Sequence, residues 1–362
     1  MGSVPRRTDE VTHEWVDRAL RESGTLTGDA RVAAVHAEVL PAGVGFMGEV
    51  ATVTCTYEGK GSHPPEVMIA KFPTDDPDIR AMMKPTRVFE REHSFYRDLA
   101  AVTPLRTPDC YHVTCDPDGD EFVLLMQDMS HLTLGDQAAG ATPAQAEAAL
   151  RGLAAHHARF WHGAGLAEAE YVPVINSPIN KVGKEIYEQS LPGFMQVFAP
   201  AIEPWMEEPA ARFTANVHQM LDRLAAMPTT LVHFDYRSDN LFFDDGGDVV
   251  AIDFQAISQG GGAADVGYFM SQNLAVADRR EHEDRLLRTY HDALEVAGVD
   301  DYSLEQLRDD YRVGIMYGWI IPVFAVGSLE SSSERAMNLW TEVLARVQAA
   351  IADVDGTALL TE

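Results

Sequence analysis

Cysteine is scarce: 362 residues carry only three, Cys55, Cys110 and Cys115. At those spacings they form neither a disulfide framework nor a zinc pattern, which fits a reducing, cytoplasmic setting. Long apolar runs are missing as well. The longest, Gly314 to Gly327, has 14 residues and contains Pro322. A membrane span needs about 20, so this run reads as a buried helix or a pocket wall, and no membrane partner is expected. Positive charge is also short, with 28 basic residues against 56 acidic ones and a net charge of −28. A polyanion would be repelled and no basic stripe is present, so nucleic acid is excluded as a partner. The acidic balance keeps a protein soluble and is also compatible with a cationic substrate. Met1 to Arg7 holds no apolar stretch of the secretory type. Arg6 stands where myristoylation needs Ser or Thr. Nothing here fixes an oligomeric state.

What is present is ordinary globular composition, 46% apolar and 23% charged, at a length suited to two domains. Thr12 to Glu22 has helical spacing in Val16, Ala19 and Leu20. Gly43, Gly45 and Gly48 then form a G-x-G-x-x-G run. In a dinucleotide-binding unit those glycines would open a helix. Here Val50 to Tyr57 alternates like a strand, and after a turn Val67 to Phe72 reads as a second strand. A Gly-rich turn beside strands suits phosphate binding by backbone N–H groups, and it also suits a plain hairpin.

Lys71 shares a face with Val67 and Ile69 by the period of two, and a lysine on an apolar face needs an anion. Helical arithmetic picks its carboxylate. From Val88 to Leu99 the apolar stripe is Val88, Phe89, Phe95, Tyr96 and Leu99, and Glu92 lies within it while Glu90 points away. Phe122 to Met126 is an apolar strand, and the polar Gln127-Asp128-Met129-Ser130 after it reads as a hinge between lobes.

In the second half, Pro143 to Trp161 is helical, and its His156, His157 and His162 lack zinc spacing, so they read as packing or surface residues. The chemistry concentrates between His233 and Gln255. Leu241 to Phe243 and Val249 to Ile252 read as strands joined by the turn Asp244-Asp245-Gly246-Gly247-Asp248. Centred on Gly246-Gly247, the hairpin sets Asn240 opposite Asp253, where an amide oxygen and a carboxylate can share a hard cation such as Mg²⁺. Asp235, five residues before Asn240, is placed to accept a proton from an attacking hydroxyl.

His233-Phe234-Asp235 through Asn240 resembles the H-x-D-x-x-x-x-N loop of aminoglycoside phosphotransferases, choline kinases and their relatives. Asp253-Phe254-Gln255, Phe46 to Val50, Leu124 to Met129 and Gly260 to Phe269 resemble most the ecdysteroid-kinase-like branch and its bacterial relatives. The resemblance implies ATP and Mg²⁺ as cofactors and a small-molecule hydroxyl as acceptor. It gives Lys71 to the ATP phosphates, Asp235 to base catalysis, Asn240 and Asp253 to Mg²⁺, and Gln127 to Met129 to the adenine. It also makes Asp265 a brace for the catalytic loop. Phe234 replaces the usual glycine, so the loop is expected to sit differently. Gln255 replaces the glycine that lets protein kinases flip this motif, which argues for a metal site formed at all times.

The fold expected is α+β and bilobal: an antiparallel-sheet lobe over 1–128 with the Gly-rich loop 43–48, then a mostly helical lobe over 129–362, with ATP between them. The function expected is phosphoryl transfer to a small-molecule hydroxyl. A serine/threonine protein kinase and an inactive nucleotide-binding pseudokinase are the alternatives. The first is disfavoured because no long activation segment follows Asp253, only a Gly-rich turn to Asp265. The apolar run from Ile315 to Phe324, with Trp319 at its middle, is expected to line an acceptor pocket for a partly apolar alcohol of steroid-like or macrolide-like character. A polycationic aminoglycoside would instead need inward carboxylates such as Glu203, Glu207, Glu208, Asp309 or Asp310.

Overall fold

The structure, a computed structural model, describes residues 4–40, 48–116, 121–327 and 334–361. The chain forms two compact units, one from residues 1–102 with 107–131 and the other from 103–106 with 132–362.

The first unit is built on a five-stranded antiparallel sheet: β1 (Arg31–Val39), β2 (Gly48–Glu58), β3 (Val67–Pro73), β4 (Cys110–Cys115) and β5 (Phe122–Gln127), in the order β1-β2-β3-β5-β4. Helix α1 (His13–Glu22) starts at Thr12, whose hydroxyl accepts the Trp15 N–H at 3.2 Å. Its buried face, Trp15, Val16, Ala19 and Leu20, joins Val53, Met68, Ala70, Phe72 and Val123 in the main core. Helices α2 (Pro77–Met83) and α3 (Val88–Ser94) follow β3, and Phe95–Leu99 continues α3 as a wider π turn. The other face of the sheet carries Ile69, Lys71 and, opposite Lys71 on β5, Leu124. There α3 packs, with Phe89 stacked on Phe122 at 5.6 Å. This corrects the expectation for β3. Val67 is exposed, and the residues that fill the main core are the alternate set Met68, Ala70 and Phe72.

The second unit is mostly helical. Its helices are α4 (Pro143–Arg159), α5 (Pro178–Lys181), α6 (Gly183–Phe198), α7 (Glu207–Ala226), α8 (Ala263–Asn273), α9 (Val276–Val296), α10 (Leu304–Gly318), α11 (Ile320–Gly327) and α12 (Glu334–Asp353). Short strands accompany them: β6 (Thr133–Leu134), β7 (Thr229–Val232), β8 (Leu241–Phe243), β9 (Val249–Ala251) and β10 (Ser258–Gly261). They pair as the sheet β6-β8-β9 and the antiparallel ribbon β7-β10. Helices α8 and α10 meet at Gly267 and Gly314, where a Cβ on either would strike the partner helix's backbone, so only glycine permits this approach. Pro322 falls in the first turn of α11, where a missing N–H costs nothing. Among the described residues no helix is long and apolar enough to cross a membrane.

Candidate active site

In the first unit, the Lys71 ammonium donates to both Glu92 oxygens, at 2.9 and 2.8 Å. The side chains are 9% and 1% exposed, so the pair is buried. Glu90 turns outward to Arg87, as the helical spacing required. Gly43 and Gly45 lie outside the described residues. The strands that flank them, β1 and β2, are paired, with Val39 opposite Ala51 and the Leu40 N–H donating to the Val50 carbonyl at 2.8 Å. The glycine run therefore connects two antiparallel strands, and the first of them was not read from the sequence. Gly48 sits so close to the Phe72 carbonyl that any side chain would collide with it. At the end of β5, the Gln127 carboxamide oxygen accepts the Asp109 N–H at 3.3 Å, and Met129 is buried.

In the second unit, β7 runs into the loop His233 to Asn240. The Asp265 carboxylate at the start of α8 accepts the N–H groups of His233 and Phe234, both at 2.7 Å. The Asn273 side-chain oxygen accepts the Ser238 N–H at 2.8 Å, and Asp239 accepts the Gln137 N–H at 2.8 Å. The loop is thus held by two side-chain acceptors from outside it, Asp265 and Asn273, and by its own Asp239, which reaches out to Gln137. Within it, Asp235 receives the Tyr268 hydroxyl at 3.1 Å and the Asn240 amide at 2.9 Å, and Arg237 stands 3.3 Å away. The Asp235 side chain remains 29% exposed. Its enclosure raises the carboxyl above the usual range. Arg237 opposes that shift and the nearby Asp253 adds to it.

A model of the ecdysteroid kinase-like family matches residues 42–298. The chain belongs to that family. Its enzyme class is accordingly that of the kinases, and its fold is the α+β kinase-like one. Solved structures agree on the fold. A protein of Ralstonia eutropha JMP134, provisionally assigned as an aminoglycoside phosphotransferase, aligns over 96% of this chain and 99% of its own at 15% identity, with a TM-score of 0.53. The GDP and kanamycin complex of APH(2″)-IIIa aligns over 93% and 99% at 14% identity, with a TM-score of 0.55. No curated protein matches the sequence.

Three features of this ecdysteroid kinase-like chain depart from the sequence reading. The hairpin of β8 and β9 is shifted by one residue. Leu241 pairs with Ala251, so Asn240 faces Ile252, whose N–H donates to the Asn240 carbonyl at 3.0 Å. The cause is the turn: the Asp244 carboxylate accepts the N–H groups of Gly246 and Asp248, both at 2.9 Å, which centres the turn on Gly246 alone. Asp253 follows just past the ladder, in a left-handed conformation with φ 68°. Second, the glycines before Asp265 are not a turn. Gly260 and Gly261 belong to β10, paired with Thr230 and Thr229, and bare backbone is needed there against Ile175 and Met227. The segment from Phe254 to Gly262 is therefore short and fully structured, unlike an activation loop. Third, Trp319 is core. It is fully buried, donates to the Tyr187 hydroxyl at 2.8 Å and meets Phe194 edge to face. Glu203, Glu207, Glu208 and Asp309 are exposed, and Asp310 is taken by the Tyr302 hydroxyl at 2.9 Å.

Phe234 holds the glycine-like backbone after all, with φ 65°, because its N–H and that of His233 are both fixed by Asp265. His157, read as packing or surface, is fully buried, with Nε2 3.1 Å from Asp265 and Nδ1 2.7 Å from the Tyr290 hydroxyl. Tyr268 was also missed, although it stands three residues after Asp265 and so shares its helix face. For a magnesium ion the donors fit. Both Asn240 N–H contacts go to Asp235 acceptors, at 2.9 Å, which leaves the amide oxygen as the outward atom. With the Asp253 carboxylate it makes a hard-oxygen set of the kind Mg²⁺ takes.

Proposed function

We propose that this protein is an ATP- and Mg²⁺-dependent O-phosphotransferase that acts on a hydroxyl of a small molecule in the cytoplasm. Residues 1–128 serve as the nucleotide-binding lobe, and 129–362 carry the catalytic loop, the metal ligands and the acceptor pocket. The observation that carries the reading is Asp235: a carboxylate oriented by Tyr268 and Asn240 yet still open to a reactant. The acceptor hydroxyl gives its proton to Asp235 as its oxygen bonds to the γ-phosphorus. The bond to the β–γ bridging oxygen breaks, and ADP leaves with that electron pair.

Lys71, held by Glu92, steadies phosphate oxygens, and Gln127 to Met129 meet the adenine. Asn240 and Asp253 would hold Mg²⁺, which when bound neutralises charge on the phosphate oxygens. Arg237 opposes the rise in pKa that burial imposes on Asp235. The short, structured passage from Asp253 to Asp265 favours a small-molecule acceptor over a peptide. Calorimetry with Mg·ATP tests the assignment of roles. Asp235→Asn is expected to bind within about twofold of wild type while transfer falls roughly 10²- to 10⁴-fold. Asp253→Ala is expected to lose binding. Unchanged Mg·ATP affinity in Asp253→Ala would remove the metal assignment.

A further inference from the structure

Two of the holds on the loop from His233 to Asn240 trace back to one side chain near the end of the chain. The Asp239 carboxylate accepts the Gln137 N–H, and the Asn273 side chain accepts the Ser238 N–H. Gln137 lies in the irregular segment between β6 and α4, and Asn273 is the last residue of α8. Neither a loop nor a helix end has a ladder that fixes its carbonyls. Arg346 of α12 supplies the donors instead. Its Nη1 donates to the Gln137 carbonyl at 2.6 Å and to the Gln272 carbonyl at 3.3 Å. Its Nη2 donates to the Ala138 carbonyl at 2.8 Å. Gly140, at φ 89°, makes the room, since a Cβ there would stand 3.2 Å from Nη2.

Stability alone gives little reason for this arrangement. Arg346 is 5% exposed, and the one carboxylate within 4 Å of it among the described residues is that of exposed Glu342, at 3.8 Å. Burial lowers the guanidinium pKa, with Glu342 and Asp136 opposing. A buried charge is normally paired. Gln137 Nε2, Gln272 Oε1 and Ser238 Oγ are also buried without a protein partner, which is costly in a core. What Arg346 secures is the relative placement of two segments that both meet the loop. Arg237 extends the connection: it donates to Gln137 Oε1 at 3.3 Å and to Asp239 at 2.8 Å, and it stands 3.3 Å from Asp235.

Building on the phosphotransfer reading, we propose that Arg346 is a positioning residue for the loop that carries Asp235. Its planar fork ties residues 137–138 to the end of α8, and these set Arg237, Ser238 and Asp239 beside the reacting groups. A lysine ammonium has the charge without the rigid fork, so it cannot hold both segments in one geometry.

The test compares wild type, Arg346→Ala, Arg346→Lys and Arg279→Ala. Arg279 is the control: it is 1% exposed and bonds Glu283 and Asp353, not the segments beside the loop. Amide hydrogen exchange is read by mass spectrometry on peptides over 233–240, well below the melting temperature of each protein. ADP release from Mg·ATP, with water as acceptor, gives kcat and KM. Both Arg346 variants are expected to exchange at least about tenfold faster in the loop. Their kcat should fall roughly 10- to 10²-fold, with KM for ATP within about twofold of wild type. Arg279→Ala should match wild type in loop exchange and in kcat. If Arg346→Ala does not fold, Arg346→Lys carries the test. Wild-type loop exchange in Arg346→Lys would overturn the inference, and so would equally fast loop exchange in Arg279→Ala, the mark of a general loss of stability. ADP release equal in wild type and Asp235→Asn would remove the phosphotransfer reading instead, and the exchange rates would still decide whether Arg346 holds the loop.

Discussion

Removing one partner of the Lys71–Glu92 pair separates what the pair does for stability from what it does for chemistry. The two side chains are 9% and 1% exposed and joined by two bonds of 2.8–2.9 Å. Lys71→Met leaves the Glu92 carboxylate in that site without its ammonium, and Glu92→Leu does the converse. Breaking a buried pair from one side costs about 3–5 kcal/mol, because the remaining charge keeps its desolvation penalty. For a unit of this size that corresponds to roughly 10–20 °C in Tm. The double variant Lys71→Met/Glu92→Leu replaces both charges with apolar groups of similar volume. It is expected to lie within about 1 kcal/mol of wild type. Activity should behave otherwise. The ammonium is the group assigned to the phosphates, so both singles and the double should fall by about 10²-fold or more in kcat/KM. Urea unfolding and steady-state ATP kinetics on all four proteins give the cycle. Activity restored together with stability in the double variant would show that the pair is structural only. Additive stability losses would show that the two charges do not depend on each other.

Asp265→Asn should lower kcat by about 10²-fold with little change in KM for ATP, because an amide offers one acceptor where two backbone N–H groups need them; an unchanged kcat would remove Asp265 as the loop's brace. Trp319→Ala should cost about 3–5 kcal/mol in urea unfolding while the KM values of the folded fraction stay put, and a selective rise in acceptor KM would return Trp319 to the pocket. Asp353 is held below the usual carboxylate range by its bond to Arg280, and by Arg279, against the opposing effect of burial. A depressed folded pKa contributes stability above the unfolded value of about 4 and loses it as pH falls through the folded one. Asp353→Asn should therefore be less stable by about 1–2 kcal/mol at pH 7, with the gap closing below about pH 4; a gap independent of pH would contradict this.

The parts of the site that sequence made legible are those whose signal is local. Glu92 could be chosen over Glu90 because α3 has one apolar stripe, and five positions of it fix the inward face. The loop from His233 to Asn240 stood out because its polar residues follow a buried strand. The hairpin register was missed by one because it depends on where the Asp244 side chain bonds, and either glycine could have been the turn's centre. Strand β1 escaped notice since Arg31–Val39 alternates weakly, as suits a strand at the sheet's edge with few buried positions. Within the run Ile315 to Phe324 nearly every residue is apolar, so periodicity cannot separate Trp319, packed on Tyr187 and Phe194, from Tyr317, which meets Phe234. His157 became a partner of Asp265 only through the packing of α4 against α9 and β7, which no spacing in the chain reveals.

The central claim is transfer of a phosphoryl group from ATP to an alcohol with Asp235 as the base. The most direct measurement is mass spectrometry of a mixture of hydroxylated small molecules incubated with the protein, Mg²⁺ and ATP. At least one product is expected to carry a single added phosphoryl group on oxygen. That product should be formed by wild type, absent without Mg²⁺ and absent with Asp235→Asn. A phosphorylated product formed equally by Asp235→Asn, or phosphate appearing on peptides and on no alcohol, would contradict it.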